Sequence, residues 1–195
     1  MQRRRFILNT SAALALGGLA LAGCTTTTDQ PANHAVDSSK RQSINASVDS
    51  TLARLYQTVP GSRELVGKAR GVLVFPSVLQ AGFVVGAQYG EGALRVGGGT
   101  VGYYSTTSAS FGAQIGAQSK AIIFLFMTQD ALARFRSSDG WSAGGDASVA
   151  IVKVGANGAI DTTTATSPVE VFVLTNSGLM GDLSLSGTKV SRLNI

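Results

Sequence analysis

Ser142 lies in Gly140-Trp141-Ser142-Ala143-Gly144, the G-x-S-x-G spacing that in a hydrolase sets a serine on a sharp turn between a buried strand and a helix. Acyl transfer there needs a histidine base later in the chain. The only histidine is His34, far upstream, and the polar residues 134–139 make a poor buried strand. Gly97-Gly98-Gly99-Thr100-Val101-Gly102 fits G-x-G-x-x-G, but Tyr103-Tyr104-Ser105-Thr106 continues as strand. No helix N-terminus follows to hold a pyrophosphate. Residues 61–68 approach a P-loop with five residues between the glycines instead of four, and Ala69 stands where Ser or Thr would hold Mg²⁺. One histidine, one cysteine and scattered carboxylates form no metal-ligand cluster. Glu91, among the glycines of Tyr89-Gly90-Glu91-Gly92, has no evident partner for acid–base work. The expectation is a non-enzymatic protein with no catalytic residue, no metal site and no cofactor.

The one chemically committed residue is Cys24, the only cysteine, in Leu21-Ala22-Gly23-Cys24. Arg3, Arg4 and Arg5 make a positive n-region, and residues 6–22 are mostly apolar or small. That run is too short and too rich in Gly, Ser, Thr and Asn for a stable membrane span, so it reads as a removable export signal. The ending resembles the lipobox of bacterial lipoproteins, in which the cysteine thiol receives diacylglycerol and becomes the new N-terminus. Acylation with more than one chain anchors stably, each buried methylene contributing about 0.8 kcal/mol. Arg3-Arg4-Arg5-Phe6-Ile7-Leu8 also resembles a twin-arginine signal, and the general secretory route remains the alternative. Thr25 after the cysteine is permissive for the outer membrane, on its periplasmic side. The palmitate-class anchor leaves no thiol for a disulfide, so the domain depends on its core alone.

Composition supports this organisation. Three of the sixteen basic residues belong to the leader, leaving thirteen against eleven acids. The high whole-chain pI therefore gives no support for nucleic acid as a partner, and no RNA- or DNA-binding motif is present. Basic residues concentrate near the anchor instead. Residues 38–70 hold Lys40, Arg41, Arg54, Arg63, Lys68 and Arg70 against Asp49 and Glu64. Near an anionic bilayer each such cation contributes about 1 kcal/mol if it reaches the headgroups. The alternative is a solvated helix face, or pairing with acids such as Glu64.

The elements that must position these residues follow in order. Residues 1–23 are the leader, and residues 24–37 have almost no large apolar side chain and read as a flexible tether. Its thirteen residues after Cys24 reach about 43 Å at most. From Ser38 the pattern turns helical, with Ile44, Val48, Leu52, Leu55 and Val59 in one stripe up to Thr58 and its neighbour. Pro60-Gly61 ends that helix, and Ser62 is placed to cap a short second one with Leu65 and Ala69. Residues 71–76 form a short buried strand ended by proline, and residues 121–127 an unbroken apolar strand. Residues 130–135 suggest a small helix with Leu132 and Phe135 inward. Strands follow at 149–154, 169–174 and around Leu183 and Leu185, with a hairpin turn at Asn157-Gly158. Gly82, Gly86 and Gly90, like Gly112 and Gly116, recur every fourth residue and line a strip of close backbone approach. The fold class is α+β: residues 38–195 form a single domain with a twisted, mostly antiparallel sheet, closing into a sandwich or barrel, flanked by the N-terminal amphipathic helix and one short helix.

Several blocks together resemble the SYLF domain. They are Lys68-Ala-Arg70-Gly-Val-Leu-Val-Phe-Pro76, Gly82-Phe-Val-Val-Gly86-Ala-Gln-Tyr-Gly90-Glu-Gly92 and Ser110-Phe-Gly-Ala-Gln-Ile-Gly116. Residues 122–128, Trp141, Gly144, Asp146, Ala147, Ser148 and the closing Gly178-Leu179-Met180 continue the pattern. The resemblance runs from about residue 40 to the C-terminus and absorbs the failed catalytic motifs. It implies lipid binding, with the N-terminal amphipathic and basic region in contact: residues 38–58 together with Arg63, Lys68 and Arg70. Eukaryotic SYLF proteins bind phosphoinositides and associate with actin; for an exported bacterial chain, anionic phospholipid or the lipid A region is the local equivalent. The expected function is phospholipid binding by a lipoprotein of the bacterial envelope. The alternatives are a structural or partner-binding module anchored by its lipid and, remotely, an envelope hydrolase.

Overall fold

The computed structural model describes residues 31–82, 85–111, 118–153, 160, 167–180, 185 and 187–195. Apolar residues at helical spacing wind Pro31–Thr58 into α1. The helix starts seven residues ahead of Ser38, at Pro31, whose fixed φ and missing N–H suit a first helical position. Its buried stripe is Ile44, Val48, Thr51, Leu55 and Val59. Thr51 takes the central place expected of Leu52, because Leu52 is rotated off the axis of the stripe and is only partly buried. Gly61, at φ 85°, turns the chain into α2, Ser62–Lys68. Ser62 is not the cap of that helix. Gly61 occupies the N-cap, and the Ser62 hydroxyl turns back to donate to the Leu55 carbonyl of α1 at 3.2 Å.

Among the described residues nine strands follow: β1 Gly71–Gly82, β2 Val85–Val96, β3 Gly99–Phe111, β4 Gln118–Phe126, β5 Trp141–Ser142, β6 Val149–Ile151, β7 Val169–Thr175, β8 Gly178–Leu179 and β9 Lys189–Leu193. They lie in the order β5-β9-β3-β2-β1-β4-β7-β6, with β8 beside β7. All pairs are antiparallel except β6 with β7. The sheet curls strongly into a half-barrel. A hairpin linking 149–154 directly to 169–174 is excluded, since β6 and β7 run parallel; Asn157-Gly158 itself lies outside the described residues.

The bend has a local cause in β1. Pro76 has no N–H to give a ladder, yet the strand does not end there as the sequence suggested. It passes Pro76 through a bulge, shifting register between Val74 and Ser77 against β2 and between Phe75 and Val78 against β4. The displaced backbone presses on β2 where it carries Gly90 and Gly92. A Cβ on Gly92 would overlap the Val74 carbonyl, and one on Gly90 would stand 2.8 Å from Val78 Cγ2 and 2.9 Å from the Ser77 oxygen. The close-approach strip is thus real at Gly90, whereas Gly112 and Gly116 lie outside the described residues.

Two apolar layers sandwich the sheet. On one face Val72, Val74, Ala93, Ile123, Leu125, Phe172 and Leu174 meet the stripe of α1 and Leu65 of α2. On the concave face Leu73, Phe75, Leu94, Ile122, Phe124 and Phe126 enclose α3, Gln129–Ser137, through Leu132 and Phe135. Thr128 caps α3, its hydroxyl accepting from the Ala131 N–H at 3.2 Å. Trp141 plugs this layer, edge-on to Phe124 at 5.6 Å and to Phe135 at 5.7 Å between ring centroids.

The bend predicts unequal tolerance of alanine. Gly92→Ala should lower the thermal midpoint strongly, by the equivalent of about 1–3 kcal/mol or more of overpacking. Gly67→Ala, in α2 with nothing within 4 Å of the added carbon, should be neutral or stabilising. Equal melting shifts for the two would contradict a sheet bent by backbone contact.

Candidate functional site

An open concavity runs along one edge of α1. At helical spacing Val36, Lys40, Ser43 and Ser47 line that edge, and opposite them stand Pro76, Ser77 and Leu79 of β1 and Tyr89 and Glu91 of β2. Two adjoining hollows of about 260 and 550 Å³ share Ser43, Ile44 and Glu91. Alternation along β2 puts Tyr89 and Glu91 on the helix side, and Leu79 pairs directly with Tyr89. Of the four large apolar side chains most exposed among the described residues, Val36, Leu79 and Tyr89 belong to this rim. The fourth, Val101, lies near the other end of β3.

A polar triad closes the floor. Lys40 Nζ donates to Glu91 Oε1 at 2.9 Å, and the Tyr89 hydroxyl donates to the same oxygen at 2.6 Å. Glu91 therefore has the partners its sequence context did not reveal. Partial burial pushes its carboxyl upward, but the hydrogen bonds from Lys40 and Tyr89 and the Lys40 charge outweigh this and hold it below the ordinary carboxylate range. The bond to Glu91, then burial and the carboxylate charge, push the Tyr89 phenol up to about 12. At neutral pH the triad therefore holds the Glu91 carboxylate and a neutral Tyr89 phenol beside Lys40. On the other edge of α1, Asn45 donates to Tyr103 Oη at 2.9 Å and accepts from Thr100 at 2.8 Å, and Asp49 pairs with Arg95 at 2.8 Å.

The six basic residues picked from the sequence do not form one cluster. Lys40 faces Glu91, while Arg41 turns to the other side of α1 and donates to the Ile195 carbonyl at 3.0 Å. Arg63 stacks over Tyr56, 4.3 Å from the ring centroid. Lys68 pairs with Glu64 at 2.7 Å, one helical turn away and well exposed. Arg54 and Arg70 are exposed, the first on the same edge of α1 as Lys40. Cys24 lies outside the described residues.

Ser142 sits on a two-residue strand and is followed by a tight turn, not by a helix. Asp146 Oδ2 accepts from the Ser142 N–H at 2.6 Å, and Gly144 takes φ 82°. The motif seats Trp141 in the core. Among the described residues no three His, Cys, Asp or Glu side chains are grouped to hold a metal.

Residues 107–194 match the family model Ysc84, described as Las17-binding protein actin regulator. The matched stretch runs from the middle of β3 through β9 and is consistent with the SYLF domain that the motifs suggested. No curated protein matches the chain.

Sequence reasoning missed Val36, Leu79 and Tyr89. The i, i+2 spacing of Tyr89 and Glu91 was a usable sign that both share one strand face. The triad predicts a specific titration. Removing the acceptor carboxylate in Glu91→Gln should return one of the four tyrosines from about 12 toward the ordinary phenol value, read by phenolate absorbance. Because the folded carboxyl titrates below its unfolded value, the stability Glu91 contributes is present above the unfolded pKa and lost as pH falls through the folded one. The variant should therefore be less stable than the parent at pH 7, by up to about 1 kcal/mol for a half-exposed pair. The two should converge in acid. An unchanged tyrosine titration would show that the triad does not persist in solution.

Proposed function

We propose that this chain is a non-enzymatic, lipid-anchored envelope protein whose SYLF domain binds anionic phospholipid at the bilayer surface. The match to the family model over residues 107–194 supports the general class, and the lipobox-like Leu21-Ala22-Gly23-Cys24 supports the anchor. The observation that carries the reading is the position of α1. Only six residues separate Cys24 from Pro31, so an acylated Cys24 keeps the start of α1 within about 25 Å of the bilayer. With α1 lying along the surface, Lys40 and Arg54, on one edge of that helix, come near the headgroups. With Arg63, Lys68 and Arg70 on and after α2 they supply a cationic side, acting through long-range charge.

A second reading is favoured by the family description, Las17-binding protein actin regulator, which names a protein partner. On that reading the anchor alone meets lipid, and the domain engages another protein.

Cys24→Ser should abolish acylation and move the product out of the detergent-requiring membrane fraction; an unmodified Cys24 thiol in the mature parent, by mass spectrometry, would contradict the anchor. Protein lacking residues 1–24 should sediment with anionic liposomes at low salt and lose binding as salt rises. Lys68→Gln with Arg70→Gln should weaken that binding with the circular dichroism spectrum unchanged, since solvated surface charges contribute little to stability. Indifference of this protein to every anionic lipid would favour the partner-binding reading.

A further inference from the structure

Beyond the helix-covered part of the sheet, the polarity of the strands inverts. In the covered part both faces are apolar, as a sandwiched sheet requires. Thr106, Gly90, Val78 and Lys120 then lie in register across β3, β2, β1 and β4 on the concave face. The next rung on that face is wholly polar: Ser108, Gln88, Gln80 and Gln118. Thr106 and Lys120 are buried, and Ser108, Gln88 and Gln80 are half-buried. The convex face of the same strand ends carries Leu79, Tyr89, Ala87 and Ala109, all exposed, with exposed Thr107 and Ser119 flanking Leu79 and Tyr89 in their rung. Leu79 and Tyr89 are 58 % and 49 % exposed.

A strand end surrounded by water is expected to do the opposite, with polar residues outward and apolar ones toward the hollow. Polar inside and apolar outside is the arrangement of strands that meet hydrocarbon. The outward pair is also amphipathic in the right sense. Tyr89 presents an apolar ring while its hydroxyl is held by Glu91, the combination that places tyrosine at a membrane interface. Val36 extends the apolar rim onto α1 beside Lys40, which is paired with Glu91, and Arg54 is an exposed cation about four turns beyond Lys40 on the same edge.

We infer that the convex end of the β1–β2 hairpin, Leu79 with Tyr89, and Val36 of α1 form the face that enters the bilayer interface. The ligand is the boundary between headgroup and acyl chain, not a single bound lipid. The inference rests on the anchored reading above: Val36 is the twelfth residue after Cys24, and six of those twelve are already in the helix that borders the patch. It differs from that reading in assigning insertion to an apolar strand surface and leaving the basic residues as its border.

The test uses the full mature chain in vesicles of phosphatidylethanolamine and phosphatidylglycerol. Leu79→Cys, Tyr89→Cys and, as a control at the far end of β3, Val101→Cys are each labelled with an environment-sensitive fluorophore. Labels at 79 and 89 should shift to the blue and be quenched by a nitroxide on the lipid acyl chain, and the label at 101 should do neither. All three variants should keep the parental circular dichroism spectrum, since each site is exposed. Equal quenching at 79 and 101, or none at 79, would overturn the face while leaving the anchor intact. A label at 79 that is blue-shifted but not quenched would assign the surface to a protein and also overturn it. Labelling of the parent at Cys24 would show a free thiol, removing the anchor and the inference with it.

Discussion

The backbone contact between β1 and β2 at Gly92 is the constraint on which the rest of this structure depends. Pro76 forces a bulge, the bulge carries the Val74 carbonyl into space that only a glycine leaves open, and the sheet bends there. Bending gives the concave face its small radius, which lets α3 and Trp141 fill it with aromatic contacts. The same bend separates a covered half of the sheet, apolar on both faces, from a projecting half with one polar face.

The position of α1 is the second consequence. Its apolar stripe settles on the convex face, but apolar packing is tolerant of sliding; polar contacts on both edges set the register. Lys40 with Glu91 pins one edge, and Asn45 and Asp49, with Thr100, Tyr103 and Arg95, pin the other. Held this way, the helix stops short of Leu79 and Tyr89 and leaves the groove between them open. Each pair is half-exposed and individually weak, so their combined effect is on position more than on stability. The proposed membrane face is therefore an outcome of where α1 is fastened.

Local patterns made much of this legible beforehand. The helical stripe from Ile44 to Val59, the apolar run of β4 and the small helix at α3 all report themselves within a few residues. What was not legible depends on pairing between distant segments. Lys40 and Glu91 are fifty-one residues apart, and neither signals the other. Pro76 reads as a strand end by its own chemistry and continues only because a glycine-bearing neighbour admits the bulge. Leu52 and Thr51 exchange places because a stripe defined by hydropathy ignores the axis set by the sheet. The basic residues looked like a cluster since they are close in sequence, yet α1 turns Lys40 and Arg41 to opposite edges and α2 engages Lys68 with Glu64.

The central claim is that the projecting end of the β1–β2 hairpin and the start of α1 face the bilayer. Amide hydrogen exchange of the mature protein, in detergent-free vesicles and in detergent micelles too small to support that geometry, tests it most directly. The account predicts slower exchange on vesicles confined to residues 34–43, 77–80 and 86–91, with α3 and the β5–β9 edge unchanged. Slowing confined to that edge and α3, with the hairpin end exchanging equally in both, would contradict it.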